Sequence, residues 1–260
     1  MPRLRHLLTL AVAAALSQAP LLQAEELPAA IKKIEAKGAK IIGTFDAPDG
    51  LRGYAAQYQN RGIALYLTPD GQHVLLGNLY DADGKDLSAE PLQKLVYAPM
   101  AKAIWAKMEA SNWIADGNKD APRTVYLFSD PNCPYCNMFW EQARPWVKAG
   151  KVQLRHIMVG IIREDSPGKS AALLAAKDPE KTLAEHEKAG KGSPLKPLKA
   201  IPPAIQAKLD ANQQLMDELE LSATPAIFYL DEKGDLQQQQ GASSPDKLVK
   251  IIGQDRKRVV

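Results

Sequence analysis

Two cysteines occur in this chain of 260 residues, and they stand three apart in Asp130-Pro131-Asn132-Cys133-Pro134-Tyr135-Cys136. The motif lies between a nearly unbroken apolar run at 123–129, which reads as a strand buried on both faces, and a predicted helix at 134–149. A helix beginning at Cys133 turns its unbonded N–H groups and the positive end of its dipole toward that sulfur, and both favour thiolate over thiol. Cys133 is then a nucleophile at neutral pH. Cys136 falls one turn later on the same face, as the resolving thiol. Pro134 suits a first helical turn, where its missing N–H is not needed, and Pro134-Tyr135 adds no charge that would stabilise the thiolate further, so a moderate depression of the Cys133 pKa is expected. Phe139 and Trp140 are expected to bury the helix against a sheet, and Pro145 predicts a kink or an early end.

Other readings of the pair are weaker. A zinc half-site needs two more ligands, and His73, His156 and His186 are isolated from one another, so no metal is expected. His156, on a strand, reads as packed. A structural disulfide across two intervening residues closes too small a loop to stabilise much, and a strand-to-helix turn is an exposed place for two inert thiols. Thiol redox chemistry without a cofactor is favoured over these. A second feature supports it: Thr224-Pro225 stands just before a strand run at 226–230, where a cis proline would present the backbone of Thr224 to an extended substrate.

Several elements must hold these residues. Arg3, Arg5 and His6, an apolar run at 7–16 and small residues after it have the layout of a secretory signal peptide, with the cut placed after Ala24. Removing residues 1–24 takes two arginines and no acid, so 33 basic residues against 30 acidic become 31 against 30, and no basic stripe argues for nucleic acid. A short helix is expected at 28–37, stopped at Gly38, followed by strands at 40–45, 54–58, 63–68 and 73–80 separated by turn sequences such as Pro69-Asp70-Gly71. This first block reads as a small α+β domain. The Ala-rich stretch from Pro99 to about Asp116 reads as a helix, either a spacer or part of the second domain. The second block runs strand, helix, strand (151–159), a long helical segment (168–219), strand, strand (236–240) and a closing helix (244–252), an α/β plan. Glu164, Asp165, Asp178, Glu180, Glu185 and Glu187 in the helical segment read as a solvated acidic face.

With Cys-Pro-Tyr-Cys at 133–136 after a strand and Thr-Pro at 224–225 before another, the chain resembles the thioredoxin superfamily. Phe-Asp-Ala-Pro at 45–48, Tyr-Leu-Thr-Pro-Asp-Gly at 66–71, Tyr-Ala-Pro at 97–99, Gln-Ala-Arg-Pro-Trp-Val at 142–147 and Leu-Met-Asp at 215–217 make the resemblance specific to the DsbC/DsbG family of periplasmic thiol:disulfide interchange proteins, over the whole mature chain. The resemblance implies an α+β N-terminal cystatin-like dimerisation domain at 25–97, a linker helix at 98–117, and an α/β thioredoxin-like catalytic domain with a helical insertion at 118–260. It implies a V-shaped periplasmic homodimer in which Cys133 is the nucleophile, Cys136 resolves, and Thr224-Pro225 is the cis-proline loop for substrate. The implied substrates are proteins with wrong disulfides or sulfenylated cysteines, and the implied electron donor is a membrane reductase of the DsbD kind. Two alternatives stay open: a dithiol oxidase, and a chaperone-like holdase with secondary redox activity.

Overall fold

The computed structural model describes residues 26–253, so the signal-peptide reading of 1–24 lies outside the described residues. The chain divides into two compact units between Asp86 and Leu87.

In the first unit, helix α1 (Ala29–Glu35) precedes four antiparallel strands in the order of the chain, β1 (Lys40–Asp46), β2 (Arg52–Tyr58), β3 (Arg61–Leu67) and β4 (Val74–Leu76). Ile31 of α1 buries among Tyr54, Ala56, Leu65 and Leu67, so one face of the sheet carries this unit's core. The fourth strand corrects the expectation of 73–80. It spans three residues, because Gly77 at φ +132° turns the chain out of register, and Tyr80 makes only an isolated bridge with Asp86.

The second unit begins with α2 (Ala89–Leu92), a π-helical turn at Gln93–Tyr97 and α3 (Ala98–Ala110). Pro99 has no N–H to give the fourth carbonyl before it, and the wider turn lies just ahead of it. The expected helix to residue 117 ends early. Ser111 is extended, its hydroxyl donates to the Met108 carbonyl at 2.7 Å, and Trp113–Asp116 forms β5, paired antiparallel with Ile157 to Leu154. The strand has no clear signature in the sequence, because it is four residues long and directly abuts a good helix-forming stretch.

The remaining elements are β6 (Arg123–Ser129), α4 (Pro134–Lys148), β7 (Val152–Met158), α5 (Ser166–Leu174), α6 (Pro179–Ala189), α7 (Pro203–Glu218), β8 (Ala226–Leu230), β9 (Leu236–Gln240) and α8 (Pro245–Ile252). The sheet order is β5-β7-β6-β8-β9, with β6 and β7 parallel and the other pairs antiparallel. Successive residues of β6 feed opposite faces. Val125 and Leu127 join Phe139, Ala143, Trp146 and the α8 residues Leu248 and Ile251 on one side. Tyr126 and Phe128 join Met108, Leu215 and Met216 on the other, where Trp105 meets Tyr126 edge-on at 5.0 Å. Burial on both faces explains the continuous apolar run. Pro145 does not end α4: it sits at an exposed position inside the helix, which continues to Lys148. Helices α5, α6 and α7 are inserted between β7 and β8, where Leu173 and Leu183 pack on Ile114 and Met158. No helix among the described residues is long and apolar enough to cross a membrane.

Candidate active site

Strand β6 delivers the chain to Ser129, and four residues later Cys133 caps α4 in an extended conformation (φ −83°, ψ 112°), with Pro134 opening the helix. The Cys133 sulfur accepts from the Cys136 N–H at 3.4 Å, the helix-capping bond expected from the motif. Its sulfur lies 3.3 Å from the Thr224 carbonyl, to which it donates when protonated, and the Thr224–Pro225 peptide is cis. The structure thus brings together Cys133, Cys136, Thr224 and Pro225, which are separated by about ninety residues of sequence. Both sulfurs are free thiols, and both cysteines are buried. Tyr135, the other residue between them, is 54% exposed and stands at the mouth of the site.

The two thiols differ sharply. The Cys136 thiol hydrogen-bonds the Cys133 sulfur and, against the opposing effect of burial, the Thr224 side chain and the N–H groups of Cys136 and Tyr135 bring the Cys133 pKa down from the ordinary thiol range to about 6. Cys136 goes the other way: burial first, then its bond to Cys133 and the charge there, push it well up. At neutral pH the pair therefore holds one thiolate and one thiol.

The surrounding framework was not legible beforehand. Asp130 is 1% exposed and its carboxylate accepts from the Ile161 and Ile162 N–H groups (2.7 and 2.9 Å), from the Ser166 hydroxyl (2.8 Å) and from the Asn132 N–H (2.8 Å). Its own carbonyl accepts from the Cys133 N–H at 2.9 Å. Asn132 reaches Asp165 and Ser166 with its amide nitrogen, both at 2.9 Å, and accepts from Lys169 at 2.8 Å. Gly160 permits the approach of the loop after β7 to α5, since a Cβ there would lie 2.6 Å from the Pro167 nitrogen. From α6, His186 Nε2 donates to the Pro131 carbonyl at 2.8 Å while Nδ1 accepts from Ser193 at 2.6 Å. Glu187 is buried, and its carbonyl and carboxylate both accept from Asn137, one residue past Cys136 (2.6 and 2.8 Å). The solvated-face reading of the acids is corrected at Glu187 on that account. No repeat or spacing in the sequence points from residues 186 and 187 to 131 and 137.

His156 is fully buried, as expected of a packed residue, with Nε2 3.5 Å from Asp116 Oδ2. Asp116 also forms a two-pronged ion pair with Arg144, whose guanidinium stacks 3.9 Å above Trp140. Among the described residues no group of three or more His, Cys, Asp or Glu is placed to hold a metal ion.

A Cys-x-x-Cys pair at the head of a helix, in contact with a cis Thr-Pro turn at the end of a five-stranded sheet, defines a thiol:disulfide oxidoreductase of thioredoxin type. Residues 114–255 match the thioredoxin-like domain family and residues 13–89 the N-terminal domain of disulfide bond isomerase proteins. The chain is 67% identical over 250 residues to the thiol:disulfide interchange protein DsbG of Pseudomonas aeruginosa, covering 96% of this chain and 98% of that one. It is 47% identical over 230 residues to DsbG of Escherichia coli (88% and 93%) and 26% identical over 215 residues to DsbC of Escherichia coli (76% and 78%). The chain belongs to the DsbG family of thiol:disulfide interchange proteins, and it is an enzyme of that class with an N-terminal isomerase-type domain and a thioredoxin-like C-terminal domain.

Proposed function

We propose that Cys133 is the attacking thiolate and Cys136 the resolving thiol of a periplasmic disulfide isomerase that also reduces cysteine sulfenic acids on proteins. The carrying observation is the split between the sulfurs, with Cys133 held to about 6 and Cys136 raised. The Cys133 thiolate attacks one sulfur of a substrate disulfide, forming a mixed disulfide and releasing the other substrate sulfur as a thiolate. In isomerisation that released thiolate, or another of the same substrate, re-pairs and expels Cys133 with no net electron transfer. In reduction Cys136 loses its proton and attacks Cys133, so the substrate leaves reduced and residues 133 and 136 are joined as a disulfide. With a sulfenic acid, attack by Cys133 expels hydroxide, which leaves as water, and the same resolution follows. Thr224 and Pro225 border the approach to Cys133, where an extended substrate would lie. Pro134 and Tyr135 leave the thiolate without a neighbouring charge, which suits a pair that must be expelled as well as attack.

In this reading residues 1–24 direct export, 25–97 form a homodimerisation domain, 98–110 serve as the linker helix, and a membrane reductase of the DsbD kind recycles the pair. Acid quenching followed by thiol alkylation in the native compartment tests it. A mainly reduced pair is expected, and a mainly oxidised one would make the protein a dithiol oxidase instead. Iodoacetamide titration provides the companion measurement: the Cys133 alkylation rate should rise to half its maximum near pH 6, and Cys133→Ala should abolish interchange.

A further inference from the structure

One hydroxyl in the site, that of Ser129, is buried without a hydrogen-bond partner among the described residues. Ser129 is the last residue of β6 and is fully buried, so its hydroxyl has given up water and received nothing from the resting fold. Ser129 continues the row of Val125 and Leu127 on the face of β6 that packs against α4, where Cys136 stands one turn before Phe139 and two before Ala143, and its side chain and the Asp130 backbone both act to lower the Cys136 pKa. Cys136 is itself 1% exposed, in the first turn of α4. Water therefore has little access to solvate Cys136 at the moment it must ionise, and the donors aimed at it are protein groups.

We propose that Ser129 is a catalytic residue of the resolving step, whose O–H donates to the Cys136 sulfur as that sulfur becomes a thiolate. This rests on the assignment of Cys136 as the resolving thiol. Of the influences that hold Cys136 protonated at rest, the bond to Cys133 and the charge on Cys133 disappear once Cys133 enters a mixed disulfide, and burial is left. Ser129 and the Asp130 N–H then oppose burial. The thiol gives its proton to the medium, the Cys136 thiolate attacks the Cys133 sulfur, a Cys133–Cys136 disulfide forms, and the substrate sulfur departs as a thiolate that is protonated in turn. Ser129 neither gains nor loses a proton over the cycle. Cys133 is the titratable neighbour that acts on Cys136 directly; Asp130 contributes through its backbone, while Glu187 and His186 on α6 bond Asn137 and Pro131 on either side.

Single-turnover reaction of the full-length reduced protein with an aromatic disulfide, 5,5′-dithiobis(2-nitrobenzoate), separates the two steps, since attack by Cys133 and resolution by Cys136 each release one coloured thiolate. Ser129→Ala should slow the second release by about tenfold at pH 7 and move its pH profile upward by about one unit, with the first release slowed less than twofold. Ser129→Thr, which keeps the hydroxyl, should restore the second release; Ser129→Val, its isostere without one, should not. This isosteric pair discriminates even where the alanine variant folds poorly. An unchanged second-step pH profile in Ser129→Ala, or equal rates in the threonine and valine variants, overturns the proposal. Failure of the underlying assignment looks different: the parent would then give no second release, or Cys136→Ala would still give one.

Discussion

Asp130 below the first turn of α4 and Asp116 against its second half are both buried carboxylates, yet their surroundings answer them by opposite means. Asp130 is met by neutral donors alone, three backbone N–H groups and one hydroxyl, drawn from its own loop, the loop after β7 and α5. Asp116 is met by the charge of Arg144 in a two-pronged pair, with the His156 ring behind it. Burial pushes the Asp116 pKa up, but the hydrogen bonds from His156 and Arg144 outweigh it and hold the group at about 2. The contrast fits the positions. A cation beside Asp130 would sit near the Cys133 thiolate and strengthen it beyond what an isomerase can use, whereas neutral dipoles fix the loops without adding charge. Arg144 is about three turns further along α4, where its role is to clamp the helix to β5.

On this contrast Asp130→Ala should be the more damaging change. It strands three N–H groups and a hydroxyl at once, and urea unfolding should show a loss of about 4 kcal/mol together with a fall in interchange rate. Retention of both would mean that the loops are held by something other than this carboxylate. Asp116→Asn should cost about 2 kcal/mol at neutral pH, with the interchange rate within about twofold of the parent. The pH dependence sharpens the point. A carboxylate lowered from its ordinary value near 3.8 to about 2 contributes stability that is fully present above pH 4 and is lost as pH falls through 2. Stability measured between pH 5 and pH 2 should therefore decline less steeply in Asp116→Asn than in the parent, and parallel curves would exclude the ion pair as the cause. The smallest expected effect is at Asn137→Ala, where the buried Glu187 carboxylate loses one donor: about 1.5 kcal/mol, with the Cys133 alkylation profile still centred near pH 6.

How far the sequence could be read follows the same divide between local and distant causes. The cap at Cys133, the lowered pKa it favours, the place of Cys136 one turn on and the strand that delivers them were all legible, because each depends on residues within one or two turns of the motif. The hairpins of β1 to β3 were legible for the same reason, since turn residues and strand-forming runs act over short spans, although β3 begins at Arg61 and not at 63, with Gln59 and Asn60 making the turn. Strand β5 and the full course of α4 through Pro145 were not, because pairing with β7 and packing of Phe139, Ala143 and Trp146 override what the local pattern prefers.

The sequence by itself determined the chemistry: two sulfurs at helical spacing, a proline to open the helix, and a Thr-Pro step before a strand. Only the tertiary structure decided which carbonyl faces the nucleophile, which acids are buried and which hydroxyl is left unanswered in the site. The physical reason is range. A helix end acts on its own first turn, whereas Thr224, Asp130, His186 and Glu187 act on the site through contacts whose partners lie 31 to 91 residues away, and no periodicity along a chain encodes such a distance.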